Sequence, residues 1–404
     1  MIAGLSTMTV TLKILTLNCW ALPFPVPCKN RRERINAICD YLQNESFDIV
    51  VLEEIWVKSD FQKLRDKLQH KFPFSHYFYS GTIGSGVCAF SKHLITETSY
   101  HRFQLNGHPH KIFHGDWFGG KGVGLCKIHD EGLDINLYCT HFHAEYNAED
   151  EYEAHRLAQA FELSQFIRST SMDCDVVILA GDLNIVPRSL GYKVVTNHAQ
   201  VKDAWIEKEN IVCDELVGTC DVPFNTYTSK EAKSRSPNGE RIDYVMYNVK
   251  PSCKAAVTDC QIGMGKIPGL NLSYSDHEAV MVTININKVE ESHPRKMRSI
   301  LSKETKESLQ DALQILDKGV NQCLNEEKFF QVVVFLLSFI LYFVNSYVDA
   351  ESYDSILVAF TLATAKLFLA FAVGFSVWTA LIVKRGEFHA LIACKEDIMK
   401  LLGI

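Results

Sequence analysis

The sequence predicts a layered α/β domain followed by two C-terminal helices that cross a membrane. Three observations predict this. Short runs rich in β-branched residues alternate with amphipathic helical stretches from Leu12 to about Asn287. Most of those runs close on polar residues, and two long apolar stretches lie near the C-terminus.

Taken in order, LKILTLNCW, DIVVLEEIW, LDINLYCTHF, DVVILAGDLNIV, RIDYVMYNV and EAVMVTININ read as strands, being short and rich in Val, Ile, Leu and Tyr. The opening MIAGLSTMTVTLKILTLNCW lacks a basic leader, and Lys13 and the threonines interrupt its apolar run. It reads as the approach to a strand rather than a signal peptide. Between the strands, KNRRERINAICDYLQNE, SDFQKLRDKLQHKF and YEAHRLAQAFELSQFIRS place apolar residues at i, i+3, i+4 and i+7, the pattern of a helix with one buried face.

Composition narrows the function classes. At 404 residues and 47% hydrophobic content the chain can bury a substantial core. A net charge of −7 has the wrong sign for a protein that binds by neutralising nucleic-acid phosphates. Thirteen cysteines, none in a CxxC pair, argue against a structural zinc site and against a secreted disulfide framework. They read as reduced thiols packed as small apolar side chains.

Past a domain at 10–290, residues 291–328 carry Arg295, Lys296, Arg298, Lys303, Lys306 and Lys318 among acids and read as a solvated helical linker. FFQVVVFLLSFILYFVNSYV (329–348) then runs without a charge, long enough to span a bilayer. A second apolar stretch reaches from Ile356 to Val383, broken by Lys366, and leaves a tail at 384–404. The short connection holds Asp349, Glu351 and Asp354, whereas Lys328, Lys384 and Arg385 flank the pair outside. Positive-inside logic places the N-terminal domain and the tail in the cytosol.

The chemistry-bearing residues stand at the ends of the strands. They are Asn18 in TLNCW, Glu54 in VLEEIW, His141 in THFHAEY, Asp182 and Asn184 in GDLN, Asp243 in RIDYV, and Asp276 with His277 in SDH. None is informative alone; together, in this order and each at the end of a predicted strand, they are not a chance set. Two Gly-rich stretches, SGTIGSG and GGKGVG, are not P-loops, because no GK[ST] follows at the required spacing. Lys121 in the second is a candidate phosphate contact. Trp20, Phe24, Trp117 and Phe118 are candidate faces for a ligand cation, with core packing as the alternative.

With LNCW, LEEIW, SGTIGSGVCAFSKH, HGDWFGGKGVG, THFHAEYN, GDLN, RIDYV and LSYSDHEAVM in hand, the chain resembles the endonuclease/exonuclease/phosphatase superfamily. Within it, the resemblance is to the membrane-bound, magnesium-dependent neutral sphingomyelinases. It implies a deoxyribonuclease-like fold of four layers, two sheets packed together with helices outside. It also implies hydrolysis of sphingomyelin or lyso-phosphocholine lipids, with Mg²⁺ as cofactor, a bilayer as partner and no nucleic acid. An endoplasmic reticulum or Golgi location follows from the same likeness. Rival readings are a nuclease or inositol-phosphate phosphatase on the same fold, and an inert membrane scaffold.

Carried over residue by residue, the family pattern makes Glu54 the metal ligand, with Asn18 and Asp276 completing its site. His277 becomes general base, Asp243 its orienting carboxylate, His141 the acid or electrostatic support, and Asp182 and Asn184 further catalytic groups. Mg²⁺ fits such a site because it takes oxygen ligands and needs only one or two carboxylates. One departure is Glu53, where many superfamily members carry Gln. Strand alternation sends Glu53 and Glu54 to opposite faces, so that only one can line the cleft.

Overall fold

Alternation of side chains in the first strand, β1 (Thr9–Ala21), sets the layering. Leu12 and Ile14 point into a core shared with a second sheet, while Leu15 and Leu17 point into a separate core on the other face. The computed structural model describes residues 9–23, 28–130, 132–147, 149–208, 218–289, 301–347 and 355–404. After β1 come α1 (Arg31–Asn44), β2 (Ile49–Ile55), α2 (Lys58–Leu68), β3 (Phe74–Tyr77), β4 (Cys88–Ser91), β5 (Leu94–Arg102), α3 (Asp116–Gly119), β6 (Gly122–Asp130) and β7 (Leu133–His141). Next are α4 (Glu153–Thr170), β8 (Val176–Asp182), α5 (Leu190–Ala199), β9 (Lys202–Asp203), α6 (Ala204–Glu207), α7 (Lys230–Arg235), β10 (Asp243–Val249), β11 (Cys253–Gly263) and β12 (Ala279–Lys288). The chain closes with α8 (Lys303–Tyr347), α9 (Ile356–Trp378) and α10 (Lys384–Leu402).

The strands form two six-stranded sheets, ordered β11-β12-β1-β2-β4-β3 and β5-β6-β7-β8-β10-β9. Leu12, Ile14 and Val51 of the first meet Leu137, Ile178 and Val245 of the second in one core. Ile35 and Ile38 of α1 and Leu64 of α2 cover the outer face of the first sheet. On the second sheet, Tyr138 of β7 meets the ring of Phe166 from α4 edge-on. Helix, sheet, sheet and helix make the four layers that the resemblance implies. Of the described cysteines, all but Cys220 are buried, as small apolar side chains would be.

All six predicted strands are present; β3, β4, β5, β6, β9 and β11 were not anticipated. Most of β5 is exposed, so its apolar pattern is weak. The one-faced helix expected over the YEAHRLAQ stretch is corrected. His155, Gln159 and Ser164 of α4 are buried alongside its apolar residues with polar partners, and buried Arg156 donates through Nη2 to Asp150. Asp243 starts β10 and Asp276 and His277 precede β12, rather than closing strands, since both strands run antiparallel to the neighbours that bring the other site residues.

By its internal contacts the chain divides into two units, Met1–Gly107 with His114–Asp311, and His108–Phe113 with Ala312–Ile404. Within the second unit the described part of the expected linker is helical, but one side of it is packed rather than solvated. Residue 328 falls inside an unbroken 45-residue helix, and α9 continues through a π-turn (Thr379–Val383) into α10. Asp317 pairs with Lys395, Glu326 with Lys384, and the Cys323 thiol reaches the Lys384 carbonyl at 3.3 Å, an antiparallel helix pair. Its inner positions, Ala312, Leu316 and Cys323 against Leu391, Cys394 and Ile398, fall at the three- and four-residue spacings of a helix seam. Both long helices contain stretches apolar enough to cross a membrane, and Phe335, Phe339, Phe368 and Phe371 stand exposed along them. The acidic connection with Asp349, Glu351 and Asp354, and Arg295, Lys296 and Arg298, lie outside the described residues.

Candidate active site

Register gathers the site. Asp182, last in β8, pairs with His141, last in β7, on one side and with Asp243, first in β10, on the other. Three distant segments thus meet at one level of the second sheet. Asn18 of β1 joins the sheets by donating from Nδ2 to Asp182 Oδ2 at 3.0 Å and to Glu54 Oε1 at 3.2 Å.

The backbone is bent at this edge. Trp20, Glu54 and Asn184 have φ of 44°, 57° and 49°, conformations uncommon for residues with a side chain. In Glu54 the bend re-aims the carboxylate toward Asn18, whereas regular alternation would send it to the helix-covered face with Val50 and Leu52. Glu53 remains sealed between the sheets, one oxygen accepting from the Thr16 hydroxyl at 2.7 Å and the other without a partner. Buried Arg34 shapes the end of β1 by donating to the carbonyls of Cys19 and Trp20, each at 2.6 Å.

His277 and His141 have opposite neighbours. His277 Nδ1 lies 2.9 Å from Asp243 Oδ2, and Asp243 Oδ1 has no partner. Burial pulls the imidazole down, but Cys220 and the Asp243 carboxylate outweigh it and hold its pKa well above the ordinary value. His141 Nε2 instead sits 2.9 Å from the Lys121 ammonium and 3.5 Å from Asp182. Lys121 is donor only, so Nε2 accepts and Nδ1 carries the proton. Burial, and behind it the Lys121 charge, lowers this histidine well below its ordinary range. These biases oppose a charged His141 and a neutral His277 in the site as it stands.

Lys121 is almost fully buried, its ammonium 2.7 Å from Asp116 and 2.6 Å from the Phe142 carbonyl. Burial pushes Asp116 up, yet Lys121, with His143 and His141 behind it, holds the carboxyl well below the carboxylate range. His143 is 3.4 Å from Asp116, and burial drives its pKa to about 3 against the opposing pull of that acid. Asn184 donates to the Phe142 carbonyl at 3.0 Å and, through its backbone N–H, to Asp182 Oδ1 at 2.8 Å.

The Gly-rich stretches are packed turns. A side chain on Gly81 would meet the Phe118 carbonyl oxygen at 2.3 Å, and Thr82 N–H donates to that oxygen at 2.7 Å. The two stretches clamp each other. Trp20 is occupied by the Arg34 guanidinium, 4.9 Å from its ring centre, which removes that face from a ligand cation. Phe24 lies outside the described residues. Trp117 and Phe118 stack edge-on with centres 5.1 Å apart.

The donor set suits a hard divalent cation. Ligand atoms of Asp182, Asp243 and His277 lie within 4.8 Å of one another, and Asn18 links Asp182 to Glu54. Burial, then the Asp243 charge, pushes Asp182 up to about 7. Burial, then Asp276, raises Glu54, and burial raises Asp276. Buried carboxylates pushed upward, beside an unpartnered Asp243 oxygen, are what a site short of positive charge presents. Sequence reasoning missed Asp116, Arg34 and Cys220. Asp116 lay within the quoted HGDWFGG, but nothing local marks it as the partner of Lys121.

A sequence model of the Endonuclease/Exonuclease/phosphatase family matches residues 15–277. The human protein named sphingomyelin phosphodiesterase 2 is 44% identical over 277 residues, covering 68% of this chain and 65% of its own. A Caenorhabditis elegans relative is 36% identical over 409 residues, covering 97% of this chain and 91% of its own. In fold, the crystal structure of sphingomyelinase C from Streptomyces griseocarneus aligns with TM-score 0.52 at 19% identity, covering 68% of this chain and 99% of that one. The matched segment holds every residue from Asn18 to His277 gathered at the sheet edge, and the chain belongs to the endonuclease/exonuclease/phosphatase family.

Proposed function

We propose that this chain is a phospholipase C-type phosphodiesterase that hydrolyses sphingomyelin to ceramide and phosphocholine at a membrane surface. The observation that carries the reading is the acid–amide cluster of Asn18, Glu54 and Asp182 set against the His277–Asp243 pair. The likeness to the human sphingomyelin phosphodiesterase supports the substrate. Glu54, Asn18 and Asp276 would hold Mg²⁺, which when bound neutralises charge on the phosphate. Asp243 fixes the His277 ring with a proton on Nδ1, so that Nε2 would serve as the base for water once a bound cation offsets the anions that favour its second proton. Asp182 and Asn184 hold the floor of the site. Lys121, neutralised by Asp116 and bonded to His141, serves as the cationic support behind the departing alkoxide rather than as a free phosphate contact.

The hairpin at 329–383 anchors the chain in an intracellular membrane, endoplasmic reticulum or Golgi, with the 10–290 domain and the 384–404 tail cytosolic. The exposed apolar helices and the cations Lys328, Lys384 and Arg385 at their outer ends support this. The purified full chain should release phosphocholine from sphingomyelin with Mg²⁺ and not with chelator. Preference for lyso-phosphocholine lipids would move the substrate, and cleavage of plasmid DNA alone would overturn the assignment. Protease protection of tags at both termini in sealed microsomes would invert the topology.

A further inference from the structure

The segment His108–Phe113 interrupts the first unit in sequence yet belongs to the helical unit. The His110 ring packs edge-on against Phe330, centres 5.0 Å apart, where the first apolar stretch begins. His108 Nδ1 lies 3.3 Å from Lys384 Nζ and 3.4 Å from the Glu387 carboxylate, just past the second apolar stretch. The segment is thus fastened to the same end of both apolar helices. At its end, on a 3₁₀ turn (Ile112–His114), Ile112 is 64% exposed and Phe113 fully so. Two large apolar side chains held in water beside the mouth of a hairpin lose burial that a bilayer interface supplies.

The chain that follows leads to the chemistry. His114 stacks on Tyr146 with centres 4.0 Å apart, and its Nδ1 lies 2.7 Å from the Tyr152 hydroxyl. Two residues on, Asp116 holds Lys121, which holds His141.

We propose that Ile112–Phe113 is a wedge that inserts into the bilayer at the boundary of headgroups and acyl chains. The strap from Lys111 to Asp116 then ties the lipid surface to the Asp116–Lys121–His141 group. This inference rests on the reading of 329–383 as a membrane hairpin acting on a lipid.

The test uses the full chain reconstituted in vesicles of phosphatidylcholine and sphingomyelin. In Phe113→Trp, the added fluorescence, taken against the parent protein, should be quenched most by lipids brominated near the headgroup. No added quenching would overturn the wedge. Ile112→Ser/Phe113→Ser should hydrolyse sphingomyelin in vesicles about ten-fold more slowly, as loss of roughly one buried apolar side chain implies. Its rate on the same lipid in detergent micelles should be unchanged. Equal rates in vesicles, or equal losses in both assemblies, would count against the proposal. Absence of hydrolysis by the unaltered chain would strike the enzymatic reading instead, and the quenching measurement would still decide the wedge.

Discussion

His277 and His141 face the same carboxylate cluster from opposite sides, and each is buried. Around His277 the partner is an anion, Asp243, so the ring is biased toward holding a second proton. Around His141 burial, with the Lys121 cation behind it, holds the ring neutral. Identical side chains at similar burial are therefore biased toward opposite charge states by the groups around them. The comparison teaches that the division of labour between the histidines is written in Asp243, Lys121 and Asp116, not in the histidines themselves.

The largest effect expected falls on the groups at the centre of that division. Glu54→Gln should abolish metal-dependent hydrolysis, because the amide removes the anionic ligand. His277→Ala should lower turnover about 10²–10⁴-fold, with Asp243→Asn close behind through the wrong tautomer. Glu54→Gln should leave the thermal transition near its parent value. Near-normal turnover in His277→Ala would remove the base and collapse the comparison.

Next in size is Lys121→Met, which breaks the His141 half. It leaves Asp116 buried without its cation and should cost about 3–5 kcal/mol of stability, read from the urea midpoint. Adding Asp116→Asn should restore most of that stability while turnover stays about 10–100-fold low. Recovery of both together would make the trio structural only.

A pH titration of stability sharpens the contrast. His141 and His143 have folded pKa values below the unfolded value near 6.5, that of His143 at about 3. Their stabilisation is present above pH ~6.5 and is lost as pH falls, because the unfolded chain takes up protons the fold refuses. The depressed Asp116 adds loss in the same direction at lower pH. His277 has the opposite sign, contributing at low pH and losing that contribution as pH rises through its elevated value. The raised carboxyls Asp182 and Glu53 take up protons in the fold over the same window and oppose this loss, so the His143 ring is read by difference. His143→Gln should change the slope of stability between pH 6.5 and 5 by about 1 kcal/mol per unit, in the direction of relatively greater stability at the lower pH. A slope that the His143→Gln substitution leaves unchanged would falsify the neutral state of His143.

The smallest effect belongs to Glu53→Gln. Burial raises Glu53 well above the carboxylate range, and its only described hydrogen bond comes from Thr16. As a neutral acid it is nearly isosteric with the amide, so turnover should change less than about three-fold and stability by about 1 kcal/mol or less. A large loss would exchange the roles given to Glu53 and Glu54.

Much of this was legible in the sequence. Apolar runs closing on TLN, LEE, THF and GDLN marked the strands whose ends meet, since alternating burial leaves a clear period. The six strands that were missed include β5, largely exposed, and the two-residue β9, where no apolar pattern has to be kept. Helix α4 was legible as a helix but not as buried on every side, because its polar residues are paired by distant segments.

By itself the sequence determined the fold class, the apolar C-terminal helices and the residues available for chemistry, because side-chain period and residue type are local properties. Only the tertiary structure decided which carboxylate faces Asn18, through the left-handed turn at Glu54. Only it paired Lys121 with Asp116 and His141, and fastened His108–His110 to the ends of the helices at Phe330 and Lys384. Those outcomes rest on strand register and on contacts between residues far apart in the chain, and burial there gives each charge its value. No local pattern carries that information.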